Sequence, residues 1–474
     1  MPLWSQENWR LIARSFDHMK AVGCRNVYVP LLCRTNFGNE ESMVRWIRKD
    51  DGTYEHDFTL MDRYLDAAEK HLGRPKMVTF QVWELYLSAR SLKRSVHHGM
   101  REKALAGRQA LSGMGPRVTL FDPATGKTEP HYLPRFEDPA SRALWQPLFD
   151  ELHRRMAKRG LEKAMMIGML SDVWPSREEA AFLHEVSGGL PWAVHAHPNR
   201  LRGRPATGNA LLHKIADVGY EAHVYQLAFQ VNPDKGRSYG WRRPELTCRF
   251  SRGGAPNAAS FLGMRLLQEF NITGGQRGIG RLGADTWYVI RDNRGQRAGA
   301  VYHRYPEVCW RNLDIDCWML APGPDGALGT GRLENLREGL QECEARIFIE
   351  RALLDAAQRQ RLGDELAARC EALLNERQRA MWRTIWTVDE DRAVIDEATG
   401  GRGPTEGLWK AMEKAGKPLP GYWDGKARKM RSDEAAKGKA WFATSGWQQR
   451  NEQLFTLAGE VGRKLGPAAT RPSR

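Results

Sequence analysis

The residues of this chain that could do chemistry gather where apolar runs give way to polar ones. Gly168-Met169-Leu170-Ser171-Asp172-Val173-Trp174-Pro175 carries an apolar run straight into an aspartate, an indole and a proline. Such a run reads as a buried strand, which puts Asp172 at its C-terminal end with Trp174 beside it. Glu84 holds the same kind of position, directly after Trp83 at the end of the run Met77–Trp83. Two carboxyls converging from strand ends suit cleavage of a glycosidic bond. One protonates the leaving oxygen while the other stabilises or attacks the oxocarbenium-like centre. A separation of about 5 Å would mark retention of configuration, and roughly 8 Å inversion. Each residue also has a plainer reading. Asp172 could cap the helix Ser176–Val186, a task open equally to Ser176, and Glu84 could be a surface or salt-bridged residue at a helix start.

Further polar and aromatic groups recur at later strand ends. His195 and His197 stand two residues apart, so on a strand they share a face. No carboxylate or third histidine stands at a metal-ligand offset from them, so hydrogen bonds to sugar hydroxyls are expected and no metal or cofactor. His223 and Tyr225 repeat the arrangement, and Arg249, Asp314, Asp316 and Trp318 extend the ring. Trp83, Trp174 and Trp318 would supply indole walls for a sugar to stack on. The glycine pattern Gly278-Ile279-Gly280-Arg281-Leu282-Gly283 matches a dinucleotide fingerprint in spelling only. It follows no clear strand, opens no amphipathic helix and has no acid about 20 residues on, so a glycine-rich loop is expected there.

The elements that would position these groups alternate between helix and strand, as in a parallel α/β fold. Residues 5–22 read as an amphipathic helix closed by Gly23, followed by a strand at Asn26–Leu32. A helix at Asp57–Leu72 leads to the strand Met77–Trp83. An excursion from about 87 to 138 contains a hairpin, Arg117–Leu133, around Asp122-Pro123-Ala124-Thr125-Gly126. A helix through Leu144, Leu148, Leu152 and Met156 precedes the strand Ala164–Leu170. Trp192–His195, His223–Leu227, Leu246–Phe250 and Ile315–Leu320 are further strand candidates. Six to eight strands separated by helices predict a (β/α)8 TIM-like barrel over residues 1–345, with its chemistry in the C-terminal loops. A helical extension is expected over 346–474, with a charged, apolar-poor stretch near 387–440 expected to be partly mobile.

Composition narrows the classes. The chain has 474 residues, 41% hydrophobic and 27% charged, which suits a large globular core. Its formal charge of +15 comes from basic residues spread along the chain among 57 acidic ones. No basic block or nucleic-acid module stands out, so no nucleic-acid partner is expected. No apolar run of about 18 residues exists, so no membrane span is expected. Seven scattered cysteines without a CxxC pair argue against a disulfide framework or thiolate zinc. The N-terminal residues show no secretory pattern, which fits a cytoplasmic protein or a secreted one lacking its leader.

Two stretches carry a resemblance. One is Trp318-Met319-Leu320-Ala321-Pro322-Gly323-Pro324-Asp325-Gly326 with the following Arg332-Leu333-Glu334-Asn335-Leu336-Arg337-Glu338-Gly339-Leu340. The other is Tyr54 to Leu65. Together they resemble the barrel of glycoside hydrolase family 123 and its relatives. The resemblance implies removal of β-linked N-acetylgalactosamine, with the substrate's own acetamido group as nucleophile. It implies an adjacent Asp-Glu pair, Asp orienting the acetamide and Glu serving as acid/base, and often a β-rich domain ahead of the barrel. Here the matching place reads Ser171-Asp172-Val173. Asp172 is either the orienting residue, with valine replacing the acid, or the acid itself, with serine before it. The expectation is a glycosidase using Asp172 and Glu84; the alternative is a non-catalytic carbohydrate-binding barrel that has lost its acid at Val173.

Overall fold

The structure is a computed structural model. It describes residues 2–87, 106, 110, 111, 113–169, 175–196, 216–219, 248–250, 264, 265, 268, 269, 278–280, 284, 285, 287–301, 304, 305, 318–386, 423, 424, 429, 430 and 446–466. For 194–196, 216–219, 248–250, 278–280, 378–386, 423, 424, 429 and 430 the backbone alone is described. The chain opens with α1 (Gln6–Ala21), β1 (Asn26–Pro30), β2 (Arg45–Arg48), β3 (Tyr54–Asp57), α2 (Thr59–Ala67) and β4 (Met77–Trp83). It continues through β5 (Arg117–Phe121), β6 (Thr128–Tyr132), α3 (Ser141–Lys158), β7 (Met165–Met169), α4 (Arg177–Val186), β8 (Trp192–Ala196) and β9 (Ala216–Gly219). Then come β10 (Cys248–Phe250), β11 (Gly278–Gly280), β12 (Ile290–Arg291), β13 (Arg297–Gly299), β14 (Leu320–Gly323) and β15 (Gly326–Gly329). The helices α5 (Gly331–Leu354), α6 (Ala356–Leu362), α7 (Asp364–Trp386) and α8 (Trp447–Leu465) follow.

The chain divides into two compact units. The first comprises 1–220, 251–254 and 281–330, and the second 221–250, 255–280 and 331–474. In the first unit β1, β4, β7, β8 and β9 lie side by side in chain order, parallel at every junction. Every residue of β4 and β7 is buried, as expected of parallel strands covered on both faces. That is why both were readable as largely apolar runs, interrupted in β4 only by Thr79 and Gln81. Trp83, Phe80, Trp145, Phe149 and Trp192 fill the core around them. The predicted hairpin forms as β5 and β6, and it joins β2 and β3 in a four-stranded sheet of order β3-β2-β5-β6. Among the described residues the strands do not close into a barrel; what is present is an α/β fold with a parallel sheet.

Two expectations change, and a third falls outside the described residues. The strand expected at His223–Leu227 lies outside the described residues, and the described strand after β8 is Ala216–Gly219. Gly278–Gly280, expected to be a loop, is strand β11 and pairs in parallel with β10. Side-chain patterning cannot reveal a strand built on glycine backbone. The strand expected to end at Leu320 instead begins there: β14 and β15 form an antiparallel hairpin turning at Pro324-Asp325-Gly326. Gly326 sits at φ +119, where a side chain would be strained and would press on Arg14.

In the second unit α5, α6, α7 and α8 pack around Ile349, Ala352, Cys370, Leu374, Leu454 and Val461. Apart from residues 423, 424, 429 and 430, the charged stretch near 387–440 lies outside the described residues. Among the described residues no helix is long and apolar enough to cross a membrane.

Candidate active site at the strand ends

The C-terminal end of β4 is irregular. Against β7 its register runs Gln81 to Gly168 and then Trp83 to Met169, so Val82 is an extra residue and the strand bulges. In a regular strand residues three apart project from opposite faces. Past this bulge and the strand end they meet: Gln81 Nε2 donates to Glu84 Oε1 at 2.8 Å. The same oxygen accepts the Asn36 backbone N–H at 3.1 Å, from the loop after β1. Glu84 is 2% exposed. The surface reading is therefore replaced by a buried carboxyl at a strand end, whose Oε1 accepts from an amide side chain and a backbone N–H.

A second buried carboxyl, which sequence reasoning missed, stands at the start of α4. Ser176 caps that helix through a reciprocal box: Glu179 N–H donates to Ser176 Oγ at 3.0 Å, and Ser176 N–H to Glu179 Oε2 at 2.7 Å. Ser176, not Asp172, is thus the N-cap. The Ser-x-x-Glu spacing was the available signal. Burial pushes the Glu179 carboxyl up to about 7, and the charge of Glu137 adds to this. The Ser176 N–H, the Trp83 indole and Arg135 pull it down. Arg135 lies 3.8 Å from Glu179 and 3.2 Å from Glu137, and donates to the Leu87 carbonyl at 3.3 Å. It thereby ties the turn after Glu84 to the helix that follows residues 170–174.

Trp83 was expected to be a stacking wall. It is instead fully buried in the core, because both faces of β4 are covered. Trp318 is partly exposed, and its ring meets Tyr288 edge-on with centroids 5.9 Å apart. The backbone places His195 near the end of β8 and Arg249 in the middle of β10. Asp172, Trp174, His197, His223, Tyr225 and Asp316 lie outside the described residues. Among the described residues no group of three His, Cys, Asp or Glu side chains could hold a metal ion.

Residues 1–187 match the family model of the glycoside hydrolase 123 catalytic domain. This span contains β1, β4 and β7, Glu84, Glu179 and the segment with Asp172. Among solved structures, the chain is similar to a family 123 glycoside hydrolase from Clostridium perfringens, described in an account of glycolipid glycan hydrolysis. The TM-score is 0.54 at 12% identity, covering 97% of this chain and 67% of that one. No curated protein matches the chain. The family model thus bears out the resemblance to family 123 over residues 1–187, and the solved structure bears on the fold.

Proposed function

We propose that this protein hydrolyses a glycosidic bond in a carbohydrate, with Asp172 as the essential carboxylate at a strand end and Glu84 as its partner. The observation that carries this reading is the family match over residues 1–187, a span that includes both residues and the strands β4 and β7. We read β1, β4, β7, β8 and β9 as the first strands of a (β/α)8 barrel. Parallel strands added on one side in chain order are how such barrels are wound. In this reading the polar and aromatic residues at the later strand ends line the mouth, and the partly exposed Trp318 offers its indole to the sugar.

In this mechanism a carboxylic acid kept neutral by its surroundings protonates the leaving oxygen, and negative charge nearby stabilises the oxocarbenium-like centre. Glu84 Oε1 already accepts two internal hydrogen bonds, so its part is electrostatic and positional, and Asp172 handles the proton. On an N-acetyl sugar the acetamido group supplies the nucleophile, and no second carboxylate need attack.

The test is turnover on a panel of aryl glycosides that includes the β-N-acetylgalactosaminide. Asp172→Asn is expected to lower kcat by about 10²–10⁴-fold with unchanged thermal unfolding. Wild-type turnover in that variant would reject the assignment. Sugar binding without turnover of any panel member would establish the non-catalytic alternative, to which Val173 after Asp172 points.

A further inference from the structure

We propose that Arg34 is a recognition residue that makes the site prefer glycans bearing an oxyanion, a sulfate ester or a carboxylate; this rests on the carbohydrate reading above. Arg34 lies four residues beyond β1 and two before Asn36, whose N–H holds Glu84. Its φ of +51 falls in the left-handed region, which a long side chain enters only when the surroundings compel it.

The compulsion is visible on both sides of the residue. Arg34 N–H donates to the Asn39 carbonyl at 2.8 Å, and Arg34 O accepts from Arg117 Nη2 at 3.0 Å. Arg117 is itself buried, and its carbonyl accepts the Cys33 N–H at 2.9 Å. Both backbone polar groups of Arg34 are thus held, which fixes the turn from which its side chain leaves.

That side chain ends 5.2 Å over the Tyr305 ring and is only partly exposed. Among the described residues it makes no ion pair. Its neighbours behave differently. Arg304 pairs with Glu40 at 3.2 Å, Arg45 with Asp57 at 2.5 Å, Arg14 donates to the Ala327 carbonyl, and Arg155 is held by Asp62. A guanidinium seated on an aromatic face keeps its planar fork of N–H donors, which fits two oxygens of a carboxylate or sulfate. The formal charge of +15 favours the approach of an anionic glycan.

The experiment compares three probes on the full chain by calorimetry at moderate salt. They are methyl N-acetylgalactosaminide, its 6-sulfate, and methyl galacturonide. Wild type is expected to bind at least one charged probe ten-fold or more tighter than the neutral one, and the two charged arms show which oxyanion is preferred. Arg34→Met should erase that preference and change neutral-sugar affinity less than two-fold. Arg34→Lys, which keeps the charge but not the fork, should retain only part of the preference and provides a second variant. Equal affinity for neutral and charged probes in wild type, or a preference that survives in Arg34→Met, would overturn the inference and leave the glycosidase reading intact. Failure of all three sugars to bind would overturn the inference, and the glycosidase reading would then stand or fall on the aryl glycoside panel.

Discussion

Glu179 keeps its proton up to about pH 7, against an ordinary 4.5, because burial penalises its charged form. Between those values the folded chain holds a proton that the unfolded chain has released. Folding stability from this group is therefore full below about 4.5 and is lost as pH rises through about 7. Glu179→Gln keeps a cap acceptor and removes the titration. Its urea midpoint should gain on wild type between pH 5 and pH 8, and a difference that stays flat across that range would refute the assignment. Glu84 and Glu179 show how far single residues were legible. The strand-end position of Glu84 followed from the apolar run before it. Its contact with Gln81 did not, since nothing in Met77–Trp83 marks the extra residue at Val82. Trp83 read as an aromatic beside a carboxylate, and only the packed sheet shows that no face of it is left open.

At the scale of the element, β7 depends on Gly168. A Cβ there would lie 2.4 Å from Thr79 Cγ2 on one neighbour and 2.8 Å from the Ala193 carbonyl on the other. The carbonyl belongs to the ladder and cannot withdraw without spreading the sheet. Gly168→Ala should cost about 1–3 kcal/mol of stability, read as a lower denaturant midpoint. A neutral effect would mean that β7 and β8 are less tightly paired than described. Strands of this kind, buried on both faces and several residues long, were legible from hydrophobicity. Gly278–Gly280 was not, because three residues with two glycines carry no periodicity. The helix read from Leu333, Leu336, Leu340, Cys343 and Ile347 at helical spacing was, and all of these but the half-buried Leu340 are buried in α5.

Across the whole molecule the two units have cores of different chemistry. The first is apolar around its strands, whereas the second buries a charge network. Arg377, fully buried, bonds both oxygens of Glu269 at 2.7 Å and also reaches Glu342 at 2.8 Å. Asn451 bridges Arg377 and Glu342, Trp447 Nε1 donates to Glu342 at 3.2 Å, and Arg346 pairs with Glu350 at 3.0 Å. Removing one member strands its partners without water. Arg377→Met should therefore cost about 3–5 kcal/mol, seen as loss of helical circular dichroism at lower temperature. Replacing Arg377, Glu269 and Glu342 together by apolar residues should recover much of that loss. A mild single-variant effect would show that water reaches the cluster. Glu342, Arg346 and Glu350 are charged and four apart on one helix, yet all three are buried. Their burial depends on partners as far away in the chain as Glu269 and Asn451, which no local pattern reveals.

The bulge at Val82 separates two kinds of inheritance. Upstream of it, Met77 to Gln81 keep their pairing with β1 whatever follows, so the core can be conserved or repacked on its own terms. Downstream, one residue more or fewer rotates the strand end and changes which side chain meets Gln81. The usual route to new chemistry is a change of residue type at a fixed position. Here a single-residue insertion or deletion would bring a different neighbour to the carboxyl's place and leave the ladder intact. In this fold, alignment gaps at strand ends would be as informative about divergence in specificity as substitutions.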